Sequence, residues 1–288
     1  MVVFPSAKIN LGLRITEKRP DGFHNLESCF YPVGWADALE IRPAERFSFQ
    51  SSGLTIPGGA PPGSVPPGGA PPGGTASEVS TNLCVKAYEL LARDYSLPPV
   101  EIHLLKAIPI GAGLGGGSAD AAFTIRALNE LFGLQLTTLR QQDYARTLGS
   151  DCAFFIENKP TYCYGKGDQF EEIPLRLTGK WIVLVNPGLH IATAEAYARV
   201  RPARPATDLR ELLQLPIAGW RTTVVNDFEA SLFPGYPQLS AIKDKLYELG
   251  ALYASMSGSG STVYGIFENE PEGSNNFSPY AVWQGELS

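Results

Sequence analysis

The sequence predicts an α+β protein of two domains, and three observations carry that prediction. Strand-like and helix-like segments are mixed along the chain without strict βα alternation. The chain has 288 residues, 44% of them hydrophobic, enough to fill two cores that share a cleft. A loop with glycine at 111, 113, 115, 116 and 117 separates a strand-like run from a helix-like one.

The elements follow in order. Residues 7–16 and 38–42 show short apolar alternation and read as strands. Pro57 to Gly74 reads PGGAPPGSVPPGGAPPGG, a near-repeat that cannot build a core. It reads as a mobile surface insertion of the kind loops tolerate, with a proline-rich partner site as the alternative. Asn82 to Tyr95 carries Leu83, Ala87, Leu90 and Leu91 at helical spacing. Val100, Ile102 and Leu104 form a strand leading into the glycine loop. Ala119 to Phe132 is a helix with Ala122, Ile125, Leu128 and Phe132 on one face, and Ser118 reads as its N-cap. Trp181 to Val185 is a buried strand ending at Asn186-Pro187-Gly188. A helix over Leu239–Leu249 precedes a second loop, Ser257-Gly258-Ser259-Gly260-Ser261, and the strand Thr262–Phe267.

The first glycine loop is an anion-binding device. Without Cβ atoms, glycines take positive φ and bring backbone N–H groups against a ligand, while the following helix adds its own free N–H groups. Phosphate is the usual anion. The pattern G-x-G-x-x-G is met by Gly111-Ala112-Gly113-Leu114-Gly115-Gly116, but the dinucleotide reading needs an acidic residue after a second strand. Glu130 stands near that distance inside a helical pattern. A Walker A loop is excluded, because no Lys-Ser or Lys-Thr pair follows the glycines. Any cation for the phosphates therefore comes from elsewhere.

Composition narrows the class. A formal charge of −6 argues against nucleic acid as the main partner. Cys29, Cys84, Cys152 and Cys163 form no C-x-x-C pair, and His24, His103 and His190 share no ligand spacing, so reduced, buried thiols and no structural zinc are expected. No segment approaches the ~20 apolar residues of a membrane span, and the N-terminus lacks a leader pattern, which predicts a cytoplasmic location and no membrane partner.

Two charged residues stand in apolar settings. Lys8 lies within Ser6-Ala7-Lys8-Ile9-Asn10-Leu11, where it is either functional or an edge-strand lysine. Asp151 lies within Leu148-Gly149-Ser150-Asp151-Cys152-Ala153-Phe154, where it is either functional or a helix cap.

Ser6-Ala7-Lys8-Ile9-Asn10-Leu11 followed by Lys18-Arg19-Pro20-Asp21-Gly22-Phe23-His24 resembles the opening of the GHMP kinases of non-mevalonate isoprenoid synthesis. The glycine loop PIGAGLGGGSADAA and the late Met256-Ser257-Gly258-Ser259-Gly260-Ser261 recur in the same order. The likeness runs from about residue 5 to Leu287, apart from the proline and glycine insert. The resemblance implies a two-domain GHMP kinase fold, residues 1–155 and 156–288, with the active site in the cleft. It implies ATP and Mg²⁺ as cofactors, a cytidine diphosphate-linked methylerythritol as phosphate acceptor, and a monomer or homodimer.

Residue by residue, the resemblance makes Asp151 the general base for the C2 hydroxyl and Lys8 the cation between base, hydroxyl and γ-phosphate. Asn10 positions the acceptor. Gly111, Gly113, Leu114, Gly115, Gly116, Gly117 and Ser118 wrap the ATP phosphates, with Asn82 and Lys106 near the nucleotide. His24 reads the cytosine edge, Phe23 and Tyr197 stack on its faces, and Thr193 lies on the substrate side. No protein ligand of the metal is assigned. The chain departs from the family pattern twice. Phe23 replaces a tyrosine, losing a phenolic hydrogen bond. Asp120 replaces an asparagine, adding negative charge beside the phosphate site unless it turns away, for instance to cap the helix. Other GHMP kinases acting on homoserine, mevalonate or a sugar remain the first alternative, and a non-catalytic nucleotide-binding module the second.

Overall fold

The computed structural model describes residues 1–54 and 81–288, and the expected insert at 57–74 lies outside them. In chain order the strands are β1 (Val2–Val3), β2 (Ser6–Lys18), β3 (His24–Ala36), β4 (Ala38–Pro43), β5 (Ser48–Gly53), β6 (Val100–Lys106), β7 (Thr161–Gly165), β8 (Gln169–Glu172), β9 (Trp181–Asn186), β10 (Tyr253–Met256), β11 (Val263–Phe267) and β12 (Ala281–Glu286). The helices are α1 (Leu83–Tyr95), α2 (Gly116–Leu131), α3 (Thr138–Leu148), α4 (Phe154–Glu157), α5 (Thr193–Ala198), α6 (Leu209–Leu212), α7 (Asp227–Leu232) and α8 (Pro237–Glu248). The chain forms two compact units, each assembled from separated stretches of sequence.

The first unit comprises Met1–Ala7, Trp35–Ile110 and Gly115–Asn158. Its sheet has the order β1-β4-β6-β5, with β6 antiparallel to β4 and parallel to β5. Alternation decides which face is covered. Leu39, Ile41, Val100, Ile102 and Leu104 are buried, while Glu40 and Arg42 between them are exposed. Helices α1 and α2 pack together, burying Val85, Tyr88 and Leu91 from one and Ala122, Ile125 and Leu128 from the other. Asn82, expected as the first residue of α1, is its cap: the Oδ1 atom accepts from the Cys84 N–H at 2.8 Å.

The second unit comprises Lys8–Gly34, Gly111–Leu114 and Lys159–Ser288. One sheet has the order β10-β11-β9-β12 and is antiparallel throughout. Its inner strand β9 buries Ile182, Val183, Leu184 and Val185 in succession, which explains its unbroken apolar run. Leu239, Ile242 and Leu246 of α8 join Phe228, Leu232, Val183 and Val185 in this core. The other sheet has the order β2-β3-β7-β8. Strand β2 is at its edge, yet Lys8, Asn10 and Arg14 are buried there. An edge lysine that deters aggregation points to water, so the alternative explanation for Lys8 fails.

All four cysteines are buried free thiols. Among the described residues, no helix is long and apolar enough to cross a membrane.

Candidate active site

In the second unit, Gly111 and Gly113 both take left-handed backbone, at φ +66° and +77°. Each of the next three carbonyls is bound to the protein. Ala112 O accepts from Thr262 N at 3.2 Å, and Leu114 O accepts from Lys8 N at 2.9 Å. Gly113 O accepts from Ser257 Oγ at 2.8 Å and from Lys8 Nζ at 3.3 Å. By contrast, the N–H groups of Gly111, Gly113 and Leu114 have no acceptor among the described residues. The loop thus spends its acceptors on the protein and leaves these donors for a ligand, the polarity an anion requires. Glycine is obligatory at 113 for a second reason, since a Cβ there would collide with the Ser257 carbonyl.

Lys8 brings a cation to the loop's edge. Its Nζ donates to Asn10 Oδ1 at 2.6 Å and lies 4.6 Å from the centroid of the Phe30 ring. Asn10 is fixed in turn: Nδ2 donates to Ser28 Oγ at 2.9 Å, and its carbonyl accepts from Tyr264 OH at 2.7 Å. Ser257 Oγ also accepts from Asn10 N at 3.2 Å. Ser28 and Tyr264 were not flagged by sequence reasoning, because their partners are 18 and 254 residues away. Ser257 carried a signal, its place in the second glycine-serine loop.

In the first unit, α2 begins at Gly116, two residues before the expected cap Ser118. Gly115 is the N-cap, at φ +70°, and no side chain caps the helix. The first-turn N–H groups are therefore free of intrahelical and capping partners, as in an anion site. Gly117 is exposed, and a Cβ built there would meet nothing within 4 Å.

Lys106 lies beneath this first turn, its Nζ 3.3 Å from where a Gly116 Cβ would stand. It is buried between two carboxylates, donating to Asp37 Oδ2 and, at 2.7 Å, to Asp120 Oδ2. Asp37 Oδ1 accepts from Ala107 N and Ile108 N at 2.6 and 2.9 Å, which ties down the chain leaving β6. Asp120 therefore neither caps the helix nor faces outward. Burial works to lower the Lys106 pKa, but the paired Asp120 and Asp37 charges outweigh it and raise it. Asp120 is pushed up to about 7, first by burial and then by Asp37, against the pull of Lys106. Its Oδ1 is buried without a partner among the described residues.

A raised carboxyl pKa makes the folded state hold a proton that the unfolded chain has released. From pH 3.8 to about 7, stability contributed by Asp120 is therefore lost as pH rises. Asp120→Asn removes that loss, so the variant is expected to gain up to roughly 3 kcal/mol on the parent between pH 5 and 8. Urea unfolding at the two pH values checks this; parallel pH dependences would contradict it.

Asp151, also in the first unit, follows α3 in the turn before α4. Ser150 Oγ donates to its Oδ1 at 3.1 Å, and its carbonyl accepts from Phe154 N at 3.2 Å. The N-cap of α4 is Ala153 rather than Asp151.

The residues expected on the substrate side lie in the second unit. His24 stacks on Tyr197 with ring centroids 4.9 Å apart and planes at 27°, and Tyr197 meets Phe228 edge-on. Burial, aided by Lys18, lowers the His24 pKa, so the ring is held neutral with one donor and one acceptor nitrogen. Phe23 is 59% exposed, with Lys166 Nζ 5.1 Å from its centroid. The turn carrying it is set by Asp21, whose Oδ1 accepts from Phe23 N at 3.1 Å. Thr193 opens α5 and is exposed.

A family model described as the GHMP kinases N terminal domain matches residues 82–159, and one described as GHMP kinases C terminal matches 205–275. A 4-diphosphocytidyl-2-C-methyl-D-erythritol kinase of Cytophaga hutchinsonii is 50% identical over 273 residues, 94% of each chain. One of Parabacteroides distasonis is 47% identical over 290 residues, 100% of each chain. A crystal structure of 4-(cytidine 5'-diphospho)-2C-methyl-D-erythritol kinase matches with a TM-score of 0.79 and 29% identity, covering 99% of this chain and 98% of that one. The mevalonate kinase of Methanococcus jannaschii, at 14% identity and a TM-score of 0.70, over 100% of this chain and 98% of that one, shares the fold. The chain belongs to the GHMP kinases, within the family of the 4-diphosphocytidyl-2-C-methyl-D-erythritol kinases.

Proposed function

We infer that the chain transfers the γ-phosphate of ATP to the C2 hydroxyl of 4-diphosphocytidyl-2-C-methyl-D-erythritol, giving the 2-phosphate and ADP, in the non-mevalonate isoprenoid pathway. The observation that carries the phosphate half of this reading is the Gly111–Leu114 loop, with its carbonyls bound and the N–H groups of Gly111, Gly113 and Leu114 free. Relatives about half identical over nearly the full chain support the substrate half.

Phosphoryl transfer asks a protein for positioning and charge stabilisation more than for covalent chemistry. In this reading Gly111, Gly113, Leu114, Gly115, Gly116, Gly117 and Ser118 hold the ATP phosphates through backbone donors. Asn82 and Lys106 support the nucleotide end by holding helix starts. Asp151 takes the hydroxyl proton as the new P–O bond forms, and Lys8 stabilises the transferred charge. Asn10 orients Lys8 and the acceptor. His24 reads the cytosine edge with one donor and one acceptor, Phe23 and Tyr197 supply aromatic faces, and Thr193 completes that side. Mg²⁺, when bound, neutralises phosphate charge. The same reading makes the protein a cytoplasmic monomer or homodimer.

Turnover of ATP with and without the cytidylyl acceptor tests the reaction. Acceptor-independent hydrolysis, or phosphorylation of homoserine or mevalonate instead, would overturn it. Phe23→Ala and His24→Ala are each expected to raise KM for the cytidylyl substrate about tenfold and leave KM for ATP within about twofold. Unchanged substrate KM in both variants would remove the cytidine-reading role.

A further inference from the structure

His190 plays no part in the mechanism above, yet its ring lies over the phosphate loop. Its Nδ1 and Cε1 are 3.6 and 3.9 Å from where a Cβ on Gly111 would stand, within the same unit. Both residues are exposed, so this is a solvent-facing surface rather than core packing. The free N–H groups of Gly111, Gly113 and Leu114 begin at this glycine. Neither ring nitrogen of His190 has a hydrogen-bond partner among the described residues.

The backbone carrying His190 is held on both sides. Leu189 O accepts from Ser261 Oγ at 2.7 Å, and Gly188 N donates to Asn186 Oδ1 at 3.0 Å. Asn186 Nδ2 donates to Thr262 Oγ1 at 3.0 Å, and Thr262 N donates to Ala112 O, inside the glycine loop itself. Ile191 is buried on the other side. The residues before and after His190 are thus locked to the loop, while its side chain is left open. An imidazole adds to such a site what the backbone lacks, a side-chain N–H donor.

We propose that His190 is a binding residue for a phosphoanion held on the Gly111–Leu114 loop, donating a side-chain hydrogen bond beside the loop's free amides. This rests on the phosphate-binding reading of the loop. The anion belongs either to the ATP triphosphate or to the diphosphate of the cytidylyl substrate, since both carry the chemistry.

Steady-state kinetics of the full-length protein with His190→Ala and His190→Gln separate the two sources. A charge-assisted hydrogen bond contributes about 1.5–3 kcal/mol, so His190→Ala is expected to raise one KM roughly 10- to 100-fold with kcat within about threefold. A rise confined to ATP assigns the contact to the triphosphate, and one confined to the acceptor assigns it to the diphosphate. His190→Gln, which keeps a donor, is expected to recover part of the loss. Both KM values within about twofold of the parent, or a loss in kcat alone, would overturn the proposal. If the parent turned over no cytidylyl acceptor, the functional reading would fail separately. A non-hydrolysable ATP analogue titrated against parent and His190→Ala protein would then decide, equal affinities counting against His190. A matching unfolding midpoint for each variant shows that it is folded.

Discussion

Asp151→Asn is expected to lower kcat by about 10²–10⁴-fold, the range for losing an acid–base group, with nucleotide affinity retained. Asparagine keeps the size of the side chain and can still accept from Ser150 Oγ, as Oδ1 does at 3.1 Å in the parent. It cannot take a proton or carry the negative charge that favours proton transfer from an alcohol. The turn itself rests on backbone bonds, Cys152 N to Gly149 O and Phe154 N to Asp151 O, which the substitution leaves in place. Stopped-time assays of the cytidylyl product, with titration of an ATP analogue, measure both quantities. A variant at near-full rate would end the assignment of Asp151 as base and leave the kinase identity standing.

Lys106→Met is expected to cost about 3–5 kcal/mol of stability, the price of removing one partner from a buried charge cluster. The Lys106 and Asp37 side chains are 3% and 0% exposed, and Asp120 is 4% exposed. Without the ammonium, the carboxyl groups of Asp37 and Asp120 face one another with no cation between them. The double variant Lys106→Met/Asp120→Asn leaves a single carboxyl group there and is expected to regain part of the loss. Urea unfolding gives both values. A loss below about 1 kcal/mol in the single variant would mean that the cluster relaxes or admits water.

Legibility followed the range of the interactions. Strand β9 and helix α8 lie within two residues of their expected bounds, because their patterns are local and strongly periodic. Helix α2 starts earlier than Ser118, since a glycine run with no capping side chain gives no N-cap signal. Strands β7 and β12, absent from the reading, owe their place to partners far along the chain, as Leu26 to Gly165 and Val185 to Val282. Asp37 had no motif to announce it. Its role appears only where Ala107 N, Ile108 N and Lys106 converge on one carboxylate.

The sequence by itself determined the chemistry on offer: a glycine loop without its own lysine, a buried-looking Lys8, a carboxylate at Asp151 and an aromatic-histidine pair at Phe23 and His24. These are short-range signals, written in residue types that are costly or strained outside their function. Tertiary structure decided the rest. It turned the loop's carbonyls onto Lys8, Ser257 and Thr262 so that the Gly111, Gly113 and Leu114 amides remain free, and it brought His190 over Gly111. It also set Asp120 against Lys106 rather than at the helix cap. Such contacts span from 14 to 150 residues of chain, and burial, not sequence spacing, determines which polar groups must pair.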